Sequence, residues 1–297
     1  MQIVIELIKS ILYGIVEGIT EWLPVSSTGH LILLEEWLPL SFCDDPVLLS
    51  EFYQMFQVVI QLGAILAVVV LYWSRLWPFG KGSGQQSRAT WSLWFKIVVA
   101  SIPAAVVGIG VDALLERLTA RDIDGWLYTP TVVAVALIVY GVAFIVIERR
   151  GIGHTASCTL SSTDQISYTK AFAIGAFQAL SIVPGTSRSG STILGSMLLG
   201  LPRTVAAEFS FFMAIPAMAG GSAIKALGFA KYVVQSAVSV PAAAWIILLV
   251  GCAVSFLVSM CVIRFLTDFV SRHTFTVFGV YRIVLGLAVL AYFWLLA

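Results

Sequence analysis

Residues 242–263 read AAAWIILLVGCAVSFLVSMCVI, a run without a single charged side chain. About 20 consecutive apolar residues are enough to cross a bilayer as one helix. The chain holds five further stretches that are predominantly apolar, which are Phe52–Trp73, Trp94–Leu115, Thr131–Ile147, Ala206–Leu227 and Phe275–Leu296. The sequence therefore predicts an all-α polytopic membrane protein with six transmembrane helices.

The composition of the whole chain supports this class. Hydrophobic residues make up 59% of it and charged residues 11%, against about 45–50% and about 25% in ordinary soluble domains. Such a chain lacks the polar surface that a water-soluble fold needs. The net charge of +1 provides no field to attract nucleic acid. These values exclude a soluble enzyme, a disordered protein and a nucleic-acid-binding protein.

Two other apolar regions are interrupted by polar residues. The region 3–40 is broken at Pro24 and at the polar run Ser26–His30, and the region 171–201 is broken at the polar run Pro184–Thr192. Non-helical backbone at membrane depth is tolerated only where it is buried in protein or lines a wet cavity. We therefore expect two re-entrant helical hairpins rather than two simple spans.

The two halves of the chain resemble each other. Gly14-x-x-Glu17 matches Gly175-x-x-Gln178, and Pro24–Ser27 matches Pro184–Ser187 after a one-residue gap. Two units of three spans each are inserted in opposite senses, which is the inverted-topology repeat of many membrane proteins. The predicted organisation is one integral membrane domain with a first repeat at 1–150, a cytoplasmic linker at 151–168 and a second repeat at 169–297.

Basic residues predict how the chain lies in the membrane. They collect in the predicted loops Ser74–Ser92 and Arg264–Thr274 and in the loop after Glu148. Six spans place these loops on one face, and short basic loops face the cytoplasm. Both termini are then expected outside.

The first interrupted region carries two carboxylates at helical spacing. Glu17 and Glu21 are four residues apart and share one helix face. Such a pair repels itself unless a proton or a cation lies between the carboxylates, so it suits divalent-cation binding or general acid/base work. The alternative is a purely structural pairing with helix-end amides or with Arg188.

Hydroxyl groups follow this acidic pair. Ser26, Ser27 and Thr28 precede an apolar run, and His30 follows three residues after Ser27. One interpretation is an ordinary N-cap with a structural histidine. The other is an anion cradle in which His30 takes part in catalysis with the Ser27 hydroxyl.

The second polar run contains Arg188 as its one charge. A guanidinium binds phosphate oxygens with two parallel hydrogen bonds, although Arg188 could also serve as counter-ion for Glu17 or Glu21. The other phosphate-binding candidates of this run are Gly185, Thr186, Ser187, Ser189 and Thr192. Together, the two polar runs predict a phosphate site inside the bilayer.

These residues carry a family resemblance. EGITEWLPVSSTGH (17–30) and PGTSRSG (184–190) resemble the two signature motifs of the undecaprenyl-diphosphatase, or bacitracin-resistance, family. The resemblance implies hydrolysis of undecaprenyl diphosphate, recycling of the lipid carrier for peptidoglycan synthesis and resistance to bacitracin. It also implies a multi-pass protein of the bacterial inner (plasma) membrane with its site facing outside. The implied partners are a polyprenyl diphosphate lipid and the bilayer. The charge balance predicts no nucleic-acid partner, and the sequence leaves open whether the chain forms a homo-oligomer.

A mechanism follows as a hypothesis. Arg188 holds the phosphates, and a divalent cation, Mg²⁺ or Ca²⁺, is held partly by Glu17 and Glu21. Ser27 is the preferred nucleophile, with His30 or Glu21 as its base, while direct attack by His30 or by an activated water stays open. The rival from another class is a polyprenyl-phosphate flippase or another inverted-repeat transporter.

Overall fold

The computed structural model describes residues 2–79, 84–119, 127–153 and 160–295, and within these ranges it contains helices and no strand. The helices that build the fold are α1 (Gln2–Thr20), α2 (Ser27–Trp37), α3 (Pro46–Val59), α4 (Gln61–Leu71), α5 (Trp73–Leu76), α6 (Gly84–Thr119), α7 (Pro130–Arg149), α8 (Tyr168–Ala179), α9 (Arg188–Leu198), α10 (Arg203–Ser236), α11 (Ala242–Arg272) and α12 (Thr276–Leu295). The predicted all-α class is therefore confirmed.

Six stretches are long and apolar enough to cross a membrane. They are Pro46–Leu71, Gly84–Leu115, Pro130–Arg149, Arg203–Ser236, Ala242–Arg272 and Thr276–Trp294. Each one contains or overlaps a span predicted from the sequence, so the protein is a multi-pass membrane protein. The predicted end of the last span, Leu296, lies outside the described residues.

Several helices extend further than the apolar runs that predict them. The predicted loop Arg264–Thr274 is wrong, because α11 continues to Arg272. The Arg272 guanidinium donates to the Asp268 carboxylate one turn earlier at 2.8 Å, as residues four apart on a helix can. The predicted loop Ser74–Ser92 likewise contains most of α5 and the start of α6. Hydropathy detects only the apolar part of a helix, so it does not detect these polar extensions.

The two interrupted regions both form a helix, a turn and a second helix. The first turn (Glu21–Ser26) joins α1 to α2, and the second turn (Val183–Ser187) follows α8 and leads into α9. Ser26 and Ser187 end these turns with φ angles of 73° and 70°, a backbone conformation that non-glycine residues rarely adopt. Each serine hydroxyl then caps its helix by accepting from Gly29 N at 3.4 Å and from Gly190 N at 3.1 Å, respectively.

This shared geometry corrects one detail of the repeat. Ser26 and Ser187 are separated along the chain by the same distance as Gly14 and Gly175. The one-residue gap in the matching of the two halves is therefore wrong. Ser27 and Arg188 occupy equivalent places, since each is the first residue of its helix.

The halves pack against each other reciprocally. Helix α1 packs on α11 of the second half, and α8 packs on α6 of the first half. A Cβ added at Gly14 would lie 2.7 Å from Gly251 O, and one added at Gly175 would lie 2.0 Å from Ala100 O. Only glycine permits backbones to approach this closely. The re-entrant hairpins and the inverted repeat stay predictions, and this reciprocal packing supports them.

Ion pairs connect helix ends at the face predicted to be cytoplasmic. The Arg75 guanidinium bonds to the Glu208 carboxylate near the start of α10. The Arg203 guanidinium bonds to Glu148, whose Oε1 also accepts from the backbone amide of Phe275 at 2.9 Å. These contacts bring α5 and the end of α7 together with the starts of α10 and α12 on one side of the molecule.

Candidate active site

The first turn brings a serine hydroxyl against a carboxylate. Ser27 Oγ donates to Glu21 Oε2 at 2.8 Å, and both residues are buried. Glu21 follows the end of α1, whereas Ser27 is the first residue of α2, so the turn itself creates the contact. Of the two bases that the sequence left open for Ser27, the structure brings Glu21 into contact with the hydroxyl.

The second turn supplies a guanidinium to the same carboxylate. Arg188 Nη2 donates to Glu21 Oε1 at 2.9 Å, and Nη1 donates to the backbone oxygen of Ser210 at 2.6 Å. The Arg188 guanidinium also lies 5.8 Å from the centre of the Trp22 ring, a separation at which a cation and an aromatic ring attract. Arg188 Nε has no hydrogen-bond partner among the described residues. The side chain is therefore fixed and keeps one donor free.

Serine hydroxyls hold the two turns together. Ser189 Oγ donates to the backbone oxygen of Glu21 at 3.1 Å and lies 3.0 Å from Ser187 Oγ. This bridge fixes the position of Arg188 relative to Glu21. The two motifs that were predicted to form one site are thus in direct contact.

A cavity of about 910 Å³ opens beside these groups, at the large end of the range for small-molecule sites. Glu21, Ser27 and Arg188 lie on its wall. The cavity continues between α6 and α10, where small residues line it, namely Ser101, Ala104, Ala105, Gly108, Ala217, Gly220 and Gly221. It therefore combines a polar end with a narrow, largely apolar extension.

The predicted phosphate-binding residues fall into two groups. Thr28, Gly185 and Ser187 line the cavity. The other four, Ser26, Thr186, Ser189 and Thr192, are buried and do not belong to its described wall. For example, the Thr192 hydroxyl lies 2.6 Å from the Ser210 hydroxyl. These four residues therefore pack within the protein on the side of the turns that faces away from the cavity.

His30 points away from Ser27. Its Nδ1 lies 2.7 Å from the backbone oxygen of Ser26, and its Nε2 lies 2.6 Å from the hydroxyl of Tyr281. A carbonyl oxygen only accepts, so Nδ1 carries the proton. The imidazole also stacks on the Tyr281 ring with the centres 5.7 Å apart. The expected proton sharing between Ser27 and His30 is therefore wrong for this structure, in which His30 supports the strained Ser26.

Glu17 is fully buried and lies near Glu21 and Arg188. Its carboxyl group contacts that of Glu21 and accepts no hydrogen bond from other described residues, and it does not line the cavity. The described part of the chain contains no group of three or more His, Cys, Asp or Glu residues that could hold a metal ion. Two carboxylates fit a magnesium site only in the form in which substrate phosphates and water complete the shell.

Arg282 of α12 is a residue of the site that the sequence motifs did not identify. It is completely buried and donates to backbone oxygens of both turns, to Pro24 at 3.1 Å, to Gly185 at 2.7 Å and to Thr186 at 2.9 Å. Its guanidinium lies 5.5 Å from the centre of the Tyr140 ring. The signal was present, because Arg282 is an intramembrane charge in the predicted span Phe275–Leu296 and such charges need a partner.

Comparisons with known proteins show that the chain is similar to one family. A family model described as "Bacitracin resistance protein BacA" matches residues 10–288. The undecaprenyl-diphosphatase of Enterococcus faecalis is 49% identical over 289 residues, which cover 96% of each chain. The undecaprenyl-diphosphatases of Streptococcus pyogenes serotypes M3 and M1 are 48% identical over 292 residues, with 98% of each chain covered.

Proposed function

The chain belongs to the bacitracin-resistance family, and from this premise we propose that it hydrolyses undecaprenyl diphosphate to undecaprenyl phosphate and inorganic phosphate. One structural observation carries the proposal. The Ser27 hydroxyl, the Glu21 carboxylate and the Arg188 guanidinium form a continuous hydrogen-bonded chain on the wall of a cavity in a membrane protein. The reaction regenerates the lipid carrier for peptidoglycan synthesis and removes the diphosphate that bacitracin binds.

The cavity accommodates both ends of this substrate. The diphosphate lies at the polar end, where the free Nε of Arg188 donates to it and the residues Thr28 and Ser187 offer hydroxyls. The prenyl tail lies along the small residues between α6 and α10 and leaves sideways into the bilayer. The path is open at Gly108 and Gly220, since a Cβ at either place would meet no atom within 4 Å.

In the first step, Ser27 Oγ attacks the terminal phosphorus and Glu21 takes the hydroxyl proton through their 2.8 Å contact. The bond from that phosphorus to the bridging oxygen breaks, and undecaprenyl phosphate leaves. Arg188 offsets the negative charge that develops on the phosphate oxygens.

In the second step, water attacks the phosphoserine. Glu21, which has passed its first proton to the departing undecaprenyl phosphate, accepts a proton from this water and delivers it to Ser27 Oγ as the bond between Ser27 Oγ and phosphorus breaks and inorganic phosphate leaves. Ser27 regains its proton, so that the Ser27–Glu21 hydrogen bond is restored. His30 then acts by holding the carbonyl of Ser26 and therefore the place of Ser27, rather than by attacking phosphorus itself.

We also propose that a divalent cation, Mg²⁺ or Ca²⁺, binds to Glu17 and Glu21 together with substrate phosphates. The buried carboxyl group of Glu17 beside that of Glu21 supports this, because two neighbouring carboxylates repel unless a proton or a cation lies between them. The ion offsets phosphate charge when it is bound. Removal of divalent ions with EDTA should abolish phosphate release, and added Mg²⁺ or Ca²⁺ should restore it. Full activity in EDTA would exclude the ion.

The cavity faces the outside in this proposal. Three residues on its wall lie near the helix ends remote from the arginine-rich face, namely Glu51 near the start of α3, Asp112 late in α6 and Lys225 late in α10. The basic face is cytoplasmic by the positive-inside rule, which places both termini outside as well. A membrane-impermeant thiol reagent should therefore label an Asp44→Cys variant, made in a Cys43→Ser background, in intact cells.

A flippase or transporter would also use the Arg188 clamp, but it has no need for the Ser27–Glu21 contact. The relatives are named as diphosphatases, which also favours hydrolysis over transport. The two functions are separated by phosphate release from undecaprenyl diphosphate by the purified protein in detergent, where no membrane remains to be crossed.

The decisive variant in that assay is Ser27→Ala. We expect turnover to fall by more than about 100-fold, because the variant has no nucleophile, while the melting temperature changes little. The matched control is Ser41→Ala, outside the site. Wild-type turnover in Ser27→Ala would overturn the nucleophile, and a wild-type protein that releases no phosphate would overturn the function itself.

A further inference from the structure

Gln178 has a place in the cavity that the two-step reaction does not use. It is the second-last residue of α8 and only 2% of it is exposed. Its side chain nevertheless lines the cavity together with Ser27 and Arg188. Gln178 Oε1 has no hydrogen-bond partner among the described residues. A buried polar atom without a partner costs free energy, so this oxygen indicates a ligand.

Packing holds Gln178 in this position. Gly175, one turn earlier in α8, lies directly against the backbone of Ala100 in α6. After Gln178, the Ser181 hydroxyl donates to the Gln178 backbone oxygen at 2.7 Å. The end of α8 is therefore fixed on both sides of the glutamine, so that the residue is held on the cavity wall before a ligand binds.

The chemistry of the cavity wall selects the ligand. Arg188 Nε is a donor without a partner, and Gln178 Oε1 is an acceptor without a partner. A phosphate that carries one proton satisfies both atoms, since it accepts from the guanidinium and donates to the amide oxygen. Turning the amide by 180° exchanges its oxygen and nitrogen without changing the packing, and the NH₂ group then donates to a phosphate oxygen. The prenyl tail can do neither.

We infer that Gln178 binds the diphosphate group of the substrate through its side-chain amide. This inference rests on the proposed function and deepens it. The repeat explains why an amide is suited to this place. Gln178 corresponds to Glu17 of the first half, but a second carboxylate on the wall, in addition to Glu21, would repel the anion that Arg188 attracts. The neutral amide removes that repulsion and keeps a hydrogen bond.

The test compares Gln178→Met with the wild type. Methionine has a similar length and is apolar, so it fills the space without hydrogen bonding. We expect KM for undecaprenyl diphosphate and the inhibition constant of inorganic phosphate both to rise by about 10- to 100-fold. The value of kcat should stay within about threefold. Gln178→Glu should raise both constants further, and the exposed Gln165→Met should leave them unchanged.

Other outcomes overturn the inference. Unchanged KM and an unchanged inhibition constant in Gln178→Met would mean that the amide contacts water alone. A lower kcat and melting temperature, with both constants unchanged, would mean a structural role. If Gln178→Met does not fold, Gln178→Asn withdraws the amide by one methylene group and should shift the same constants. Calorimetry measures the binding of pyrophosphate to the wild type and to the variant without turnover. A negative result for the role of Gln178 can therefore be distinguished from failure of the proposed function.

Discussion

The first and second turns have the same backbone conformation at their last residue but carry different side chains. Both end in a serine with positive φ that caps the following helix. At the next position the first turn has Ser27 and the second has Arg188. Earlier in the hairpins, the first has the carboxyl group of Glu17 where the second has the amide of Gln178. In the proposed reaction, one backbone geometry therefore presents a nucleophile and its base from one side and a phosphate clamp from the other.

This difference shows how a site can be built from a duplicated unit. Substrate binding needs positive charge and neutral donors, whereas the attack on phosphorus needs a carboxylate beside the nucleophile. One turn carrying both sets would pair its own charges. Because the sets lie on separate turns, the carboxylate of one and the guanidinium of the other meet through the 2.9 Å hydrogen bond between Glu21 and Arg188.

The largest effect is expected from removing the base of the first turn. Glu21→Gln keeps the shape of the side chain and loses its ability to accept the Ser27 proton. Turnover should fall by about 10²- to 10⁴-fold, with a smaller change in KM, as measured by phosphate release at saturating substrate. A variant with near wild-type turnover would contradict the division of roles between the turns.

A smaller effect is expected from changing the clamp of the second turn. Arg188→Lys keeps the charge but loses the planar fork that bonds Glu21, Ser210 and the substrate at once. We expect kcat/KM to fall by about 10- to 100-fold, and Arg188→Ala to fall further. A wild-type value of kcat/KM in Arg188→Lys would show that the positive charge alone is needed. The hydrogen bonds of the guanidinium to Glu21 and Ser210 would then contribute little to activity.

The smallest effect is expected from removing the hydrogen bond between Tyr281 and His30, next to the first turn. Tyr281→Phe removes the hydroxyl that bonds His30 Nε2 and keeps the stacked ring. One lost hydrogen bond is worth about 0.5–1.5 kcal/mol, so kcat/KM should fall by about threefold to tenfold. If His30 were instead a nucleophile or a base, this change would shift the pH profile of kcat, whereas a support for Ser26 leaves the profile where it is.

The sequence predicted the parts of this fold that depend on local composition. Apolar runs identified all six spans, and the polar interruptions located both turns. It did not predict that Ser27 faces Glu21 rather than His30, because that depends on the positive φ of Ser26, which its identity as serine does not reveal. It also placed Thr192 at the phosphate, whereas the helix α9 turns this hydroxyl toward Ser210. Side-chain direction within a helix depends on which face meets which neighbour.

Arg282 has a consequence for how the protein is made. The backbone oxygens of Pro24, Gly185 and Thr186 all accept hydrogen bonds from this one side chain, which belongs to the last helix of the chain, α12. Proteins are synthesised from the N-terminus, so the first turn is inserted into the membrane long before its partner exists. The active site is therefore completed only at the end of translation, and a chain that stops before α12 keeps the contacts of Arg188 and Ser189 with Glu21 but lacks the guanidinium that binds the backbone oxygens of both turns.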